Sequence, residues 1–126
     1  HVTFYDLRNK DIPLPISTYM PFDIDPIQMR PIDQKWGQTG SRHGAHNIWL
    51  DMEKNDLIYI AWFNAGLRII DWSNPFNPKE VGSYIPAGNK ERCCPQSNDV
   101  YVDKETGLIY MSDRWGLGLH ILEYTG

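Results

Sequence analysis

Apolar and polar positions along residues 46–86 alternate in short runs separated by turn residues. The runs are His46–Leu50, Leu57–Phe63, Leu67–Trp72 and Lys79–Ile85. Each is rich in β-branched or aromatic residues and is too short for an ordinary helix, so each predicts a strand. Lys54-Asn55-Asp56 separates the first two runs and Asn64-Ala65-Gly66 the next two. Ser73-Asn74-Pro75 with Asn77-Pro78 makes the last turn. Asn, Asp and Gly tolerate positive φ and Pro presets it near −65°, so these turns have a mechanism.

The pattern repeats in both directions. Asn98–Tyr124 lies over His46–Trp72: Asp51 matches Asp103, Leu57-Ile58-Tyr59 matches Leu108-Ile109-Tyr110, Gly66-Leu67 matches Gly118-Leu119, and Asp71-Trp72 matches Glu123-Tyr124. The start of the chain repeats the second half of the unit, with Val2–Asp6 over Leu67–Asp71 and Ser17-Thr18-Tyr19 over Gly82-Ser83-Tyr84. A four-stranded antiparallel unit of about 40 residues that recurs is the blade of a β-propeller. The expectation is an all-β propeller segment. Residues 1–21 supply the outer strands of one blade, 22–45 a long connector, 46–86 a full blade, 87–97 a second connector, and 98–126 the inner three strands of the last blade. No helix longer than a turn is expected.

Gly66-Leu67-Arg68-Ile69-Ile70-Asp71-Trp72-Ser73-Asn74-Pro75, followed by Pro78 and Val81-Gly82, resembles the LVIVD repeat of bacterial and archaeal β-propellers. Asn74 stands where that pattern often has Asp, and in the second copy Glu123 replaces the Asp. The resemblance implies the propeller fold and is nearly silent on activity.

At 126 residues the chain has the length of one ordinary domain, whereas a propeller needs about 4–8 blades to close. The expectation is therefore the C-terminal part of a larger propeller, whose missing N-terminal blades, or another protein chain, are its partners. A strand from the far terminus is expected to pair with residues 119–124. The net charge of −4 argues against a nucleic-acid partner. No apolar run approaches the roughly 18 residues of a membrane span.

Three groups carry candidate chemistry. His43 and His46, three apart at the start of an inner strand, could share Zn or Cu at the channel mouth. Equally, each could bond backbone or water there. The vicinal pair Cys93-Cys94 could form a strained disulfide, remain as free thiols, pair with other cysteines, or join the histidines on zinc. Arg92 lies beside them in the connector. Asp113-Arg114-Trp115 and Trp62-Phe63-Asn64 stand at matching strand ends and, with Trp36 and Trp49, form either a ligand platform or packing between blades. The ligand is expected near His43, His46, Arg92, Asp113, Arg114 and Trp115.

Two functions follow. One is a non-enzymatic binding or interaction scaffold, favoured because no catalytic constellation recurs and no nucleophile elbow, P-loop or dinucleotide fingerprint is present. The other is a metalloenzyme with a His-based site at the channel mouth. The adjacent cysteines, the Pro and Trp content and the habitat the resemblance implies point to a periplasmic or secreted protein.

Overall fold

The computed structural model describes residues 1–21, 24–25, 30–31, 42–50, 56–92 and 94–126; of 24–25 and 30–31 only the backbone is considered. The described residues are all-β. In chain order the strands are β1 (Val2–Asp6), β2 (Leu14–Tyr19), β3 (Ile24–Asp25), β4 (Arg30–Pro31), β5 (Ala45–Leu50), β6 (Leu57–Trp62), β7 (Gly66–Asp71), β8 (Lys79–Tyr84), β9 (Ser97–Val102), β10 (Ile109–Asp113) and β11 (Leu119–Leu122). They form four antiparallel sheets: β1-β2, β3-β4, β5-β6-β7-β8 and β9-β10-β11. The two-residue ladder β3-β4 falls within the long connector expected at residues 22–45.

The two middle strands of the central sheet, β6 and β7, are buried on both faces, which explains why they read as apolar runs rather than as alternation. Successive side chains of a strand point to opposite faces. Ile58, Ile60, Trp62 and Ile70 accordingly pack with Tyr19, Val2 and Phe4 of the β1-β2 hairpin. Tyr59, Ala61, Leu67 and Ile69 pack instead with Val100, Ile109 and Met111 of the three-stranded sheet. Ile60, Trp62 and Ile70 are wholly excluded from solvent.

The turn at Asn64-Ala65-Gly66 is a single turn of 3-10 helix, Phe63–Ala65, closed by Gly66 at φ 74°. A Cβ at Gly66 would lie 2.1 Å from the carbonyl oxygen of Tyr84, so β8 can approach β7 here only because residue 66 is glycine. The turn expected at Lys54-Asn55 lies outside the described residues. No helix among the described residues is long and apolar enough to cross a membrane.

Both innermost strands carry a bulge at the same place. On β5, Ala45 pairs with Trp62 and Asn47 with Ala61, leaving His46 as the extra residue. On β9, Asp99 pairs with Ser112 and Ser97 with Asp113, leaving Asn98 as the extra residue. Bulges re-aim side chains and end regular pairing. Here they set the geometry of the strand ends where the candidate residues lie.

Candidate functional site

The same backbone corner is built twice. The amide of Phe63, just past the end of β6, donates to the carbonyl of Gly44 at 3.0 Å. The amide of Arg114, just past the end of β10, donates to the carbonyl of Gln96 at 3.1 Å. Each bond ties a strand end to the connector that enters the sheet. The side chains hung on the two corners differ in kind.

The first corner is closed by a polar lock. Trp62 Nε1–H lies 3.2 Å from His43 Nε2, and an indole nitrogen can only donate, so Nε2 is an acceptor. His43 Nδ1 therefore carries the proton and donates to Asn64 Oδ1 at 2.6 Å. Both ring nitrogens are engaged, and no lone pair remains for a metal ion. Trp62, Phe63 and Asn64 are all buried. At this corner the aromatic residues are packing, not a ligand platform, and Trp49 packs likewise against Tyr101 with ring centroids 4.7 Å apart.

His46 takes a different partner. Its Nδ1 donates to the carbonyl of Asn98 at 2.6 Å, and its ring lies 4.6 Å from that of Phe63. His43 and His46 thus have separate hydrogen-bond partners in this structure. Among the described residues, no three His, Cys, Asp or Glu side chains gather into a group that could hold a metal ion. Cys94 is fully buried and is not a free thiol. Cys93 and Trp36 lie outside the described residues.

The second corner is open and charged. Asp113 Oδ1 accepts from the amides of Trp115 at 2.7 Å and Leu117 at 3.2 Å, and Oδ2 accepts from the amide of Gln96 at 2.5 Å. Three backbone donors hold this carboxylate and clamp the β10–β11 turn onto the connector. Arg92 reaches back to the turn: its Nε donates to the Trp115 carbonyl at 3.2 Å, and its guanidinium lies 5.2 Å from the Trp115 ring centroid, a cation–π distance.

Gln96 organises what remains. It is 4% exposed, and its side chain pairs reciprocally with the backbone of Arg42, accepting from the amide and donating to the carbonyl, each at 3.3 Å. Its own carbonyl holds Arg114. Arg42 and Arg114 are therefore launched from one buried residue. With Gln96 and Trp115 they line a pocket of about 300 Å³. Among the described residues neither guanidinium has a carboxylate partner.

Of the expected residues, Arg92, Asp113, Arg114 and Trp115 come together at this corner, while His43 and His46 belong to the other corner and to the seam. Arg42 and Gln96 were missed by sequence reasoning. Nothing in the sequence marks them, because they meet only when the two connectors are folded against each other.

No curated protein and no solved structure matches the chain. The family model of the LVIVD repeat, a repeat of the β-propeller type, matches residues 45–85, which take in the four strands β5–β8 and the turns between them.

Proposed function

We propose that this protein is a non-enzymatic binding scaffold of the β-propeller type, with its ligand face at the connector end of the strands. One observation carries the reading: a corner that is plugged by His43, Trp62 and Asn64 in one unit is rebuilt on the same backbone bond as an open, arginine-lined pocket in the next. Its two arginines, which have no carboxylate partner among the described residues, fit recognition of a ligand. The titratable groups of the two corners, His43 and Asp113, are bound up in holding structure, which supports binding over catalysis.

Completion by further blades, from the same protein or another chain, belongs to this proposal. Leu119 and Ile121 are exposed on β11, which lies at the edge of its sheet. Unpaired edges and exposed apolar rows are features that proteins cover. An extracytoplasmic setting also belongs to it, supported by a buried Cys94 that is not a free thiol. Blocking thiols during isolation and finding both cysteines alkylated would remove that part.

The test of the scaffold is a chemical-shift map. Isotope-labelled protein is screened against small anionic, neutral and cationic compounds. Responses are expected at the Trp115 indole and at the amides of Arg92, Gln96 and Arg114. Hits confined to the β1-β2 hairpin or the β7–β8 turn would overturn the assignment of the face.

A further inference from the structure

We infer that the pocket between Arg42 and Arg114 binds the oxyanion of a small planar organic acid, a carboxylate or phosphate carried on a flat ring; the inference rests on the binding face proposed above and names its ligand class. The chain as a whole is acidic, at −4. The pocket lining reverses that sign: among the described residues it includes two arginines and no acidic residue. A third guanidinium, that of Arg92, lies against the Trp115 ring. Asp113, beside this corner, is held by three backbone N–H bonds and is not among the residues that line the pocket.

Arginine forks suit oxyanions, because a guanidinium can give two parallel hydrogen bonds to a carboxylate or phosphate. The backbone of each arginine is fixed through Gln96, which limits the ordering cost on binding. Trp115 supplies an apolar surface in the same pocket, so a ring attached to the anion has something to lie against. A pocket of about 300 Å³ sits at the lower end of the range for small-molecule sites, which favours a single-ring acid over a larger cofactor.

The test is isothermal titration of the full-length protein with benzoate, phenyl phosphate, inorganic phosphate and benzamide. Benzoate and phenyl phosphate are expected to bind, inorganic phosphate more weakly, and benzamide not at all. R42Q and R114Q should each weaken benzoate about tenfold, the loss of one charged hydrogen bond. Both side chains are exposed, so the melting temperature should hold. On the unaltered protein, benzoate affinity should fall as KCl is raised. Benzamide binding as tightly as benzoate, salt-independent affinity, or full affinity in the R42Q/R114Q double variant would overturn the inference. Inorganic phosphate binding as tightly as phenyl phosphate would remove the ring from it. If no anion binds while other compounds still shift Trp115, the oxyanion is wrong and the scaffold face stands.

Discussion

His46 and Asn98 occupy the same bulge in consecutive sheets, 52 residues apart, and the imidazole of the first donates to the backbone carbonyl of the second at 2.6 Å. The bulge frees each residue from regular pairing, and the histidine uses that freedom to join the two innermost strands. The bond is solvent-exposed and its acceptor is main chain. H46A should therefore lower unfolding stability by only about 1 kcal/mol. It should also speed hydrogen exchange at the start of β9. A loss several times larger would mean that His46 has a role beyond this link.

His43 should behave differently. H43A leaves the Trp62 indole N–H without an acceptor inside the core, and the cost should reach about 2 kcal/mol in urea denaturation. H43Q should recover part of it through its own side-chain carbonyl. A neutral H43A would show that the lock at this corner contributes nothing.

Arg68 of β7 is 1% exposed and pairs through Nη1 with Glu80 Oε1 on β8 at 3.2 Å. Glu80 Oε2 accepts from the Tyr19 hydroxyl, so one carboxylate holds both its own sheet and the β1-β2 hairpin. E80A takes the carboxylate away from a buried guanidinium and should cost about 3 kcal/mol. R68M/E80L, which removes both charges, should cost clearly less. Y19F should spare the central sheet while loosening the hairpin, read as faster exchange in β1 and β2. Equal losses in E80A and R68M/E80L would refute the burial argument.

Burial pushes the Tyr59 hydroxyl above the ordinary tyrosine range, with Tyr124 adding to the effect. The folded state then holds this proton at pH values where the unfolded chain gives it up. Stability from this group is present below about pH 10 and lost as pH rises through the folded pKa. Y59F should flatten the alkaline limb of a plot of stability against pH without changing the neutral region. An unchanged limb would place the titration elsewhere.

Strand positions, the all-β class and the repeat were legible in the sequence because they are local. Leu57–Trp62 and Gly66–Asp71 are apolar, β-branched and bounded by turn residues, and those properties act over a few residues at a time. The resemblance carried by Gly66–Pro75 was legible for the same reason, since Gly66 meets a requirement of the turn itself. Asp113, Arg114 and Trp115 could be singled out as residues at a strand end, but their roles could not be assigned.

Those roles depend on contacts between distant segments. Whether a histidine is a ligand or a lock is decided by what lies beside each ring nitrogen. For His43 that is Trp62 and Asn64, 19 and 21 residues away, and for His46 it is Asn98. The pocket is the stronger case. Arg42 and Gln96 are 54 residues apart, and nothing in either neighbourhood marks them as a pair. The local pattern determined that two units share a backbone corner. Only the packing of one connector on the other decided that one corner closes over an apolar core while the next brings two arginines together with no carboxylate partner among the described residues, because charge pairing and burial depend on distance in space and not on separation along the chain.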